Sequence, residues 1–178
     1  MSGALRVRDA RADERARIAE LTMDAYGEYA TIMHPESWAM LEGALRRSLA
    51  DDAGVTRLVV ERDGAIVGSA ALYDPGAEAY GDLASRALWP EVRLVAVAPE
   101  ARGLGIARAL VDECVRRAKR AGAAALGLHT SRSMSAAMRL YDRMGFVRDP
   151  STDFQVPGAE LVEGYRLDLS DHEPTTEQ

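Results

Sequence analysis

Residues 91–108 constrain the fold of this chain more than any other stretch. They read Glu91-Val-Arg-Leu-Val-Ala-Val-Ala-Pro99, then Glu100-Ala-Arg-Gly-Leu-Gly-Ile-Ala-Arg108. The first half is a β-rich run ended by proline; the second is a glycine-bearing loop that becomes a helix. Gly103 and Gly105 lack Cβ, so the backbone there can approach a ligand closely. The first turn of the following helix has unpaired N–H groups at the positive end of its dipole. Together these features suit a pyrophosphate, with Arg102 and Arg108 available for extra charge. A triphosphate P-loop would require Gly-Lys-Ser/Thr, and no such triplet occurs in the chain. A dinucleotide fingerprint would have glycine where Arg108 stands and would open a βαβ unit instead of following several strands. The alternative without a ligand is a helix that merely begins with glycines after a turn.

Hydrophobic pattern places mixed strands and helices around this segment. Residues 5–8 alternate as a short strand. Asp13 is positioned to cap a helix over residues 13–29, with Ile18, Leu21, Ala25 and Tyr29 as its apolar stripe. Pro35 suits the first turn of a second helix through Trp38, Leu41, Leu45 and Leu49. Asp63-Gly64 between apolar runs predicts a hairpin. Residues 74–88 read as a loop. The helix over 103–121 carries Ile106, Leu110, Cys114 and Ala118 at i+4 steps, with Gly122 as its stop. A strand over 124–129, a helix over 133–144 before Gly145, a strand opening at Phe146, and a last strand over 163–169 complete the order.

Composition narrows the class. With 178 residues and 47% hydrophobic content, one domain is expected, burying roughly 70% of its unfolded surface. No apolar run approaches the roughly 18 residues of a membrane span, and residues 1–10 have no signal-peptide core, so no membrane partner and a cytoplasmic location are expected. The single Cys114 excludes an intrachain disulfide and any multi-cysteine metal site. No His/Asp/Glu grouping has metal-ligand spacing, so no metal is expected. A net charge of −6 argues against broad nucleic-acid binding.

Two motifs then carry a resemblance. Arg102-x-x-Gly105-x-Ala107, following Val95-Ala-Val-Ala-Pro99, resembles the acyl-CoA motif of the GNAT N-acyltransferase superfamily. Ala137-Met-Arg-Leu-Tyr141-Asp-Arg-Met-Gly145-Phe146 resembles the same superfamily's second segment, in the right order and about 35 residues on. The likeness extends over about residues 5–170, with 171–178 as a polar, frayed tail. It implies an α/β fold: a mixed, mostly antiparallel sheet of six or seven strands flanked by about four helices. One departure stands out: Met134 occupies a place where members often carry asparagine, so a polar contact is missing or comes from Ser133 or Ser135.

The resemblance also implies roles. Acetyl-CoA would be the acyl donor, lying where the fourth and fifth strands splay. Its pantetheine would run along the main chain of Val95, Ala96 and Val97, and an N–H near Val97 would polarise the thioester carbonyl. Its pyrophosphate would rest on Arg102, Gly103, Leu104, Gly105, Ile106, Ala107 and Arg108. Tyr141 stands where the family has a general acid for the departing thiolate; the competing reading is a tyrosine that packs its helix on the sheet. Glu91 lies six residues before Val97, hence on the same face by strict alternation, at the spacing of a base found in some members. The competing reading is a solvated strand-start carboxylate. Tyr26, Tyr29, His34, Trp38, Tyr80 and Trp89 are candidates for the acceptor wall or for packing. His129 reads as a structural histidine and Cys114 as inert core.

The expected activity is direct acetyl transfer from acetyl-CoA to a primary amine of a small molecule or peptide. A different acyl group or acceptor, or an acyl-CoA-binding sensor without turnover, are the alternatives. A homodimer is compatible with the family.

Overall fold

A computed structural model describes residues 3–77 and 88–170. The order is β1 (Arg6–Asp9), α1 (Arg15–Tyr26), α2 (Pro35–Ala50), β2 (Val55–Arg62), β3 (Ala65–Tyr73), β4 (Glu91–Val97), α3 (Ile106–Arg120), β5 (Ala125–Thr130), α4 (Ser135–Arg143), β6 (Val147–Arg148) and β7 (Glu163–Asp168). The seven strands of the described residues form one sheet in the order β1-β2-β3-β4-β5-β7-β6. Every neighbouring pair is antiparallel except β4 with β5. The α/β architecture expected from the sequence is the one observed.

Local chemistry explains most boundaries. Asp63 (φ 51°) and Gly64 (φ 79°) both take the left-handed conformation that a tight two-residue hairpin requires. Pro35 opens α2, and the His34 imidazole accepts from the Glu36 N–H at 3.4 Å. Gly122 (φ 73°) ends α3 as expected. The first helix differs from its expected form. Glu14, not Asp13, organises its start: the Glu14 carboxylate accepts from the Arg11 N–H at 2.7 Å and pairs with Arg8 at 2.7 Å. A charge-assisted pair with two anchors outweighs a cap from the exposed Asp13. The α-helix also ends at Tyr26, where Gly27–Thr31 tightens into a 3-10 turn; glycine's low helix propensity favours the stop.

The sheet is covered on both faces. A Cβ on Gly68 would meet Ile106 Cγ2 at 2.4 Å and Leu110 Cδ1 at 3.4 Å, so α3 lies on the Gly68 face. Ser69, the next residue, points the other way. Its cross-strand partner Val59 packs with Ile18 of α1, Leu49 of α2 and Leu94, so α1 and α2 cover that second face. Leu58, Leu110, Val111, Cys114 and Leu126 are fully buried in the main core. Each such side chain contributes roughly 1.5–3 kcal/mol on burial. Cys114 belongs to this packing, as its place on the apolar stripe predicted.

Candidate active site

The site begins where the sheet opens. Among the described residues, Glu91 opposite Gly127 is the only register pair between β4 and β5, so past Glu91 the two strands part. On its other side β4 stays paired with β3: Ser69 faces Ala96, and the Ala98 N–H bonds to the Val67 carbonyl at 2.9 Å. Successive N–H groups on a strand point to opposite edges, so the Val97 N–H turns toward the parting. Beyond it, the loop carries Gly103 (φ 79°) and Gly105 (φ 76°) into α3. Apart from chain neighbours, no heavy atom of the described residues lies within 4 Å of a Cβ placed on either glycine. Gly105 caps α3 without a side-chain hydrogen bond, which leaves first-turn amides available to a ligand. Leu104 and Arg108 are exposed and Ile106 is buried beneath the turn.

The two arginines of this loop have protein partners. Arg102 pairs with Glu28 at 2.7 Å and Arg108 with Asp112 at 3.7 Å, all four side chains being at least two-fifths exposed. Exposed pairs of this kind are worth about 0–1 kcal/mol, so either guanidinium can turn to a bound anion at little cost.

A β-bulge redistributes the side chains of β4. Between the pairs Ala71–Arg93 and Ser69–Ala96, β4 contains one more residue than β3, and Leu94 takes φ 55°. Glu91 pairs with Tyr73 and Val97 with Gly68; those partners stand five positions apart on β3, an odd step, so they point to opposite faces. The same-face argument for Glu91 and Val97 is therefore corrected: an extra residue breaks strict alternation. Glu91 and Arg93 turn to the face covered by α1 and α2, while the Val97 side chain turns toward α3.

On that face Glu91 is a buried, engaged carboxylate, not a solvated one. Its Oε2 accepts from the Arg93 guanidinium, and its Oε1 lies 3.5 Å from His129 Nδ1. Arg93 in turn sits 4.4 Å above the Tyr73 ring. His129 Nε2 lies 2.8 Å from the Thr152 carbonyl. Burial by itself raises the Glu91 pKa, but the His129 hydrogen bond and the Arg93 charge outweigh it, holding the carboxyl below the usual range.

A cavity of about 640 Å³ adjoins this cluster. Its walls come from five segments: Tyr26 and Met33 before α2, the α2 stripe from Ser37 to Ser48, Arg93 and Leu94 of β4, the end of β5 through Met134, and the segment 154–162. Glu91 lies behind this wall and reaches the cavity through Arg93 and His129. The 154–162 segment is closed by the Phe154–Val162 bridge. Glu160 ties it down: its N–H bonds Ser37 Oγ at 3.1 Å, and its carboxylate accepts from Ser133 N and Oγ at 3.0 and 3.1 Å. Ser133 is thus committed to Glu160, whereas Met134 itself lines the cavity.

Among the acceptor-wall candidates, Tyr26 lines the cavity and Tyr29 packs on it edge-to-face at 5.9 Å. His34 caps α2 and Trp38 is off the cavity wall. Trp89 packs over Gly127, where a Cβ would meet its Nε1 at 2.8 Å. Tyr80 lies outside the described residues. Tyr141 is 7% exposed, in the main core, with its ring edge-on to Phe146 at 5.8 Å. Sequence reasoning missed the α2 wall, Arg93, and the 154–162 segment; the helical spacing of Met40, Leu41, Ala44 and Leu45 was the available signal for the first.

Known proteins share this fold. The family model described as "Acetyltransferase (GNAT) family" matches residues 16–146. A mycothiol acetyltransferase from Cellulomonas flavigena is 35% identical over 120 residues, covering 65% of this chain but 34% of that protein. The chain thus spans about a third of the length of the curated relative it matches. A GCN5-related N-acetyltransferase structure from Rhodopseudomonas palustris superposes with a TM-score of 0.70 at 17% identity, over 95% of this chain and 98% of that one. An acetyltransferase from Salmonella typhimurium, solved with its cofactor acetyl-CoA, gives 0.64 at 23% identity, over 95% and 96%.

Proposed function

The chain belongs to the GNAT acetyltransferase family, and from that premise we propose that it moves an acetyl group from acetyl-CoA directly to a primary amine of a small molecule or peptide. The observation that carries this reading is the parting of β4 from β5 beside a glycine loop at the α3 N-terminus. The residues fit such a donor: positive φ and open space at Gly103 and Gly105 supply a cradle that a Cβ would obstruct. When bound, acetyl-CoA supplies an activated acetyl group on a thioester.

The chain's own groups do the rest. The amides of residues 103–108 hold the pyrophosphate, with Arg102 and Arg108 recruited from their surface pairs. The main chain of Val95, Ala96 and Val97 aligns the pantetheine, and the Val97 N–H stabilises charge on the thioester oxygen. Tyr141 donates a proton to the leaving thiolate. Because a thiol has a pKa near 8.5, this assistance accelerates the reaction without being indispensable.

Glu91 keeps a place in the mechanism, through its partners. Its depressed pKa keeps it ionised at neutral pH, where it orients Arg93 and His129 on the cavity wall and accepts a proton through water. A weak base of this kind suits amines that are partly neutral already. At pH 7 an α-amine near pKa 7.8 is about 14% neutral, against about 0.04% for a lysine-like amine.

A cytoplasmic location completes this reading, and a homodimer is compatible with it. Its test is free thiol release. Wild-type protein with acetyl-CoA and a panel of amines should liberate CoA well above hydrolysis with at least one amine. Binding of acetyl-CoA with no amine-dependent release would identify a non-catalytic acyl-CoA-binding module instead.

A further inference from the structure

We propose that the acceptor is a primary amine on an apolar body with no carboxylate beside the nitrogen, and that it docks as its ammonium ion on the Glu160 carboxylate and the Ser131 hydroxyl. This rests on the amine-transfer reading and deepens it.

The docking groups stand on the β5 bank of the opening. β4 and β5 part past Glu91 and Gly127, and β5 runs on to Thr130, with Ser131 directly after it. The Ser131 carbonyl accepts from the Met134 N–H at 2.9 Å, which closes a turn. Within that turn Ser133 donates its N–H and its hydroxyl to Oε1 of Glu160. Glu160 Oε2 makes no hydrogen bond or ion pair among the described residues. Ser131 is 5% exposed, and its hydroxyl also has no hydrogen-bond partner among them. A buried hydroxyl left unpaired is costly, so a bound N–H donor relieves it. β5 keeps unbroken register with β7 through Thr130, so alternation carries Ser131 to the face of His129, where the cavity lies. The Thr130 hydroxyl, buried and unpaired as well, alternates to the opposite face, which leaves Ser131 as the docking hydroxyl.

Charge on the wall favours a cation at this end. Among the lining residues Glu160 is the one carboxylate. The cationic side chains of the wall are engaged or distant. Arg93 is paired with Glu91, and His129 is held between Glu91 and the Thr152 carbonyl. Arg47 lies ten residues beyond Ser37 on α2, about 15 Å at 1.5 Å per residue. Ser37 marks the Glu160 end, since its Oγ accepts from the Glu160 N–H. The other end of α2 is tied down elsewhere, by Arg57 of β2 on the Ser48 carbonyl and Arg15 of α1 on the Ala50 carbonyl.

Apolar groups surround the docking point. Met134 closes its turn, Phe154 and Val156 belong to the segment that carries Glu160, and Met40 and Leu41 stand one helical turn from Ser37. An ammonium on Glu160 thus has its body against these walls, and methionines adapt to aliphatic or aromatic bodies alike. A carboxylate beside the same nitrogen meets repulsion from Glu160. Loss of one proton to water then frees the lone pair for attack.

The test compares phenethylamine and isoamylamine with phenylalanine and leucine, which add a carboxylate to the same bodies, with the amides of those amino acids, and with ethanolamine. Wild type, Glu160→Gln and Ser131→Ala are each assayed. Expected is a kcat/KM at least tenfold higher for the apolar amines and the amides than for the amino acids or ethanolamine. Glu160→Gln keeps an oxygen for Ser133 while removing the charge. It should raise the amine KM at least tenfold and narrow the discrimination against amino acids, with Tm and the acetyl-CoA KM near wild type. Ser131→Ala should raise the amine KM about threefold or more. Preferred turnover of the amino acids, or an amine KM and a discrimination unchanged in Glu160→Gln, would overturn the inference while leaving amine transfer standing. Faster turnover of octanoyl-CoA than of acetyl-CoA would assign the cavity to the acyl chain and equally overturn it. No turnover of any amine would remove the transferase reading, and this inference with it.

Discussion

Gly105 separates the cost of folding from the cost of binding. It holds φ 76° at the cap of α3, with open space within 4 Å of where a Cβ would stand. Gly105→Ala therefore incurs no clash; its cost is the left-handed backbone alone, about 1 kcal/mol, or about 2–4 °C in Tm for a chain of this size. On the proposed reading of the loop, Gly105→Glu adds a charge facing the pyrophosphate of acetyl-CoA. At about 6 Å, one unit of like charge costs about 0.7 kcal/mol at the dielectric of water and about 2.8 kcal/mol at an effective value of 20. Acetyl-CoA should then bind about 3- to 100-fold more weakly. Calorimetric titration of wild type, Gly105→Ala and Gly105→Glu at low and high salt is the assay. The gap between the two variants should narrow as salt rises, because screening shortens the reach of the added charge. A Glu variant that folds and binds acetyl-CoA as tightly as wild type would refute the loop's assignment.

Other perturbations probe separate parts of the account. Gly68→Val should destabilise the protein by about 1–3 kcal/mol, read as a fall in denaturant midpoint, because Ile106 Cγ2 lies 2.4 Å from the new Cβ and must move with α3. Tyr141→Phe should lower kcat on the order of tenfold or more while leaving acetyl-CoA affinity near wild type; an unchanged kcat would leave Tyr141 as core packing. Burial pushes the Cys114 thiol up to about 12, so native protein at pH 8 should resist thiol reagents and react only on unfolding. The Arg8 hydrogen bond depresses the Glu14 pKa from 4.5 to about 2. Its stabilisation is complete above pH 4.5 and fades as pH falls toward 2, so Tm should drop across that window and drop less in Glu14→Gln.

The parts of the fold that were legible in the sequence are those set by local chemistry. Asp63-Gly64 specifies its turn by what those residues tolerate, and the strand–Pro99–glycine–helix segment reads the same way alone as in the folded protein. The same holds for the α3 stripe through Cys114. What was not legible depends on distant partners. Nothing within residues 91–97 announces the bulge at Leu94; it is a mismatch in length between β4 and β3, and it reversed the face assigned to Glu91. For Glu91 the sequence offered a base or a solvated carboxylate, and not the buried, paired group observed, because Arg93 is its neighbour by alternation only and His129 arrives from β5. The cavity wall was the least legible feature, since its five segments meet only after the sheet and α2 pack together. Aromatic residues near the first two helices suggested the wall, and Tyr26 does line it, yet α2 places Met40 and Arg47 there and leaves Trp38 off it.

Acetyl-CoA carrying isotopic label in its acetyl group provides the most direct test of the central claim. Incubated with the protein and the amine that releases most CoA, it should yield acetylated amine bearing the full label, mole for mole with free CoA, and no label on the protein by intact mass. Release of CoA without a labelled amine, or label accumulating on the chain itself, would contradict direct transfer at the parted strands.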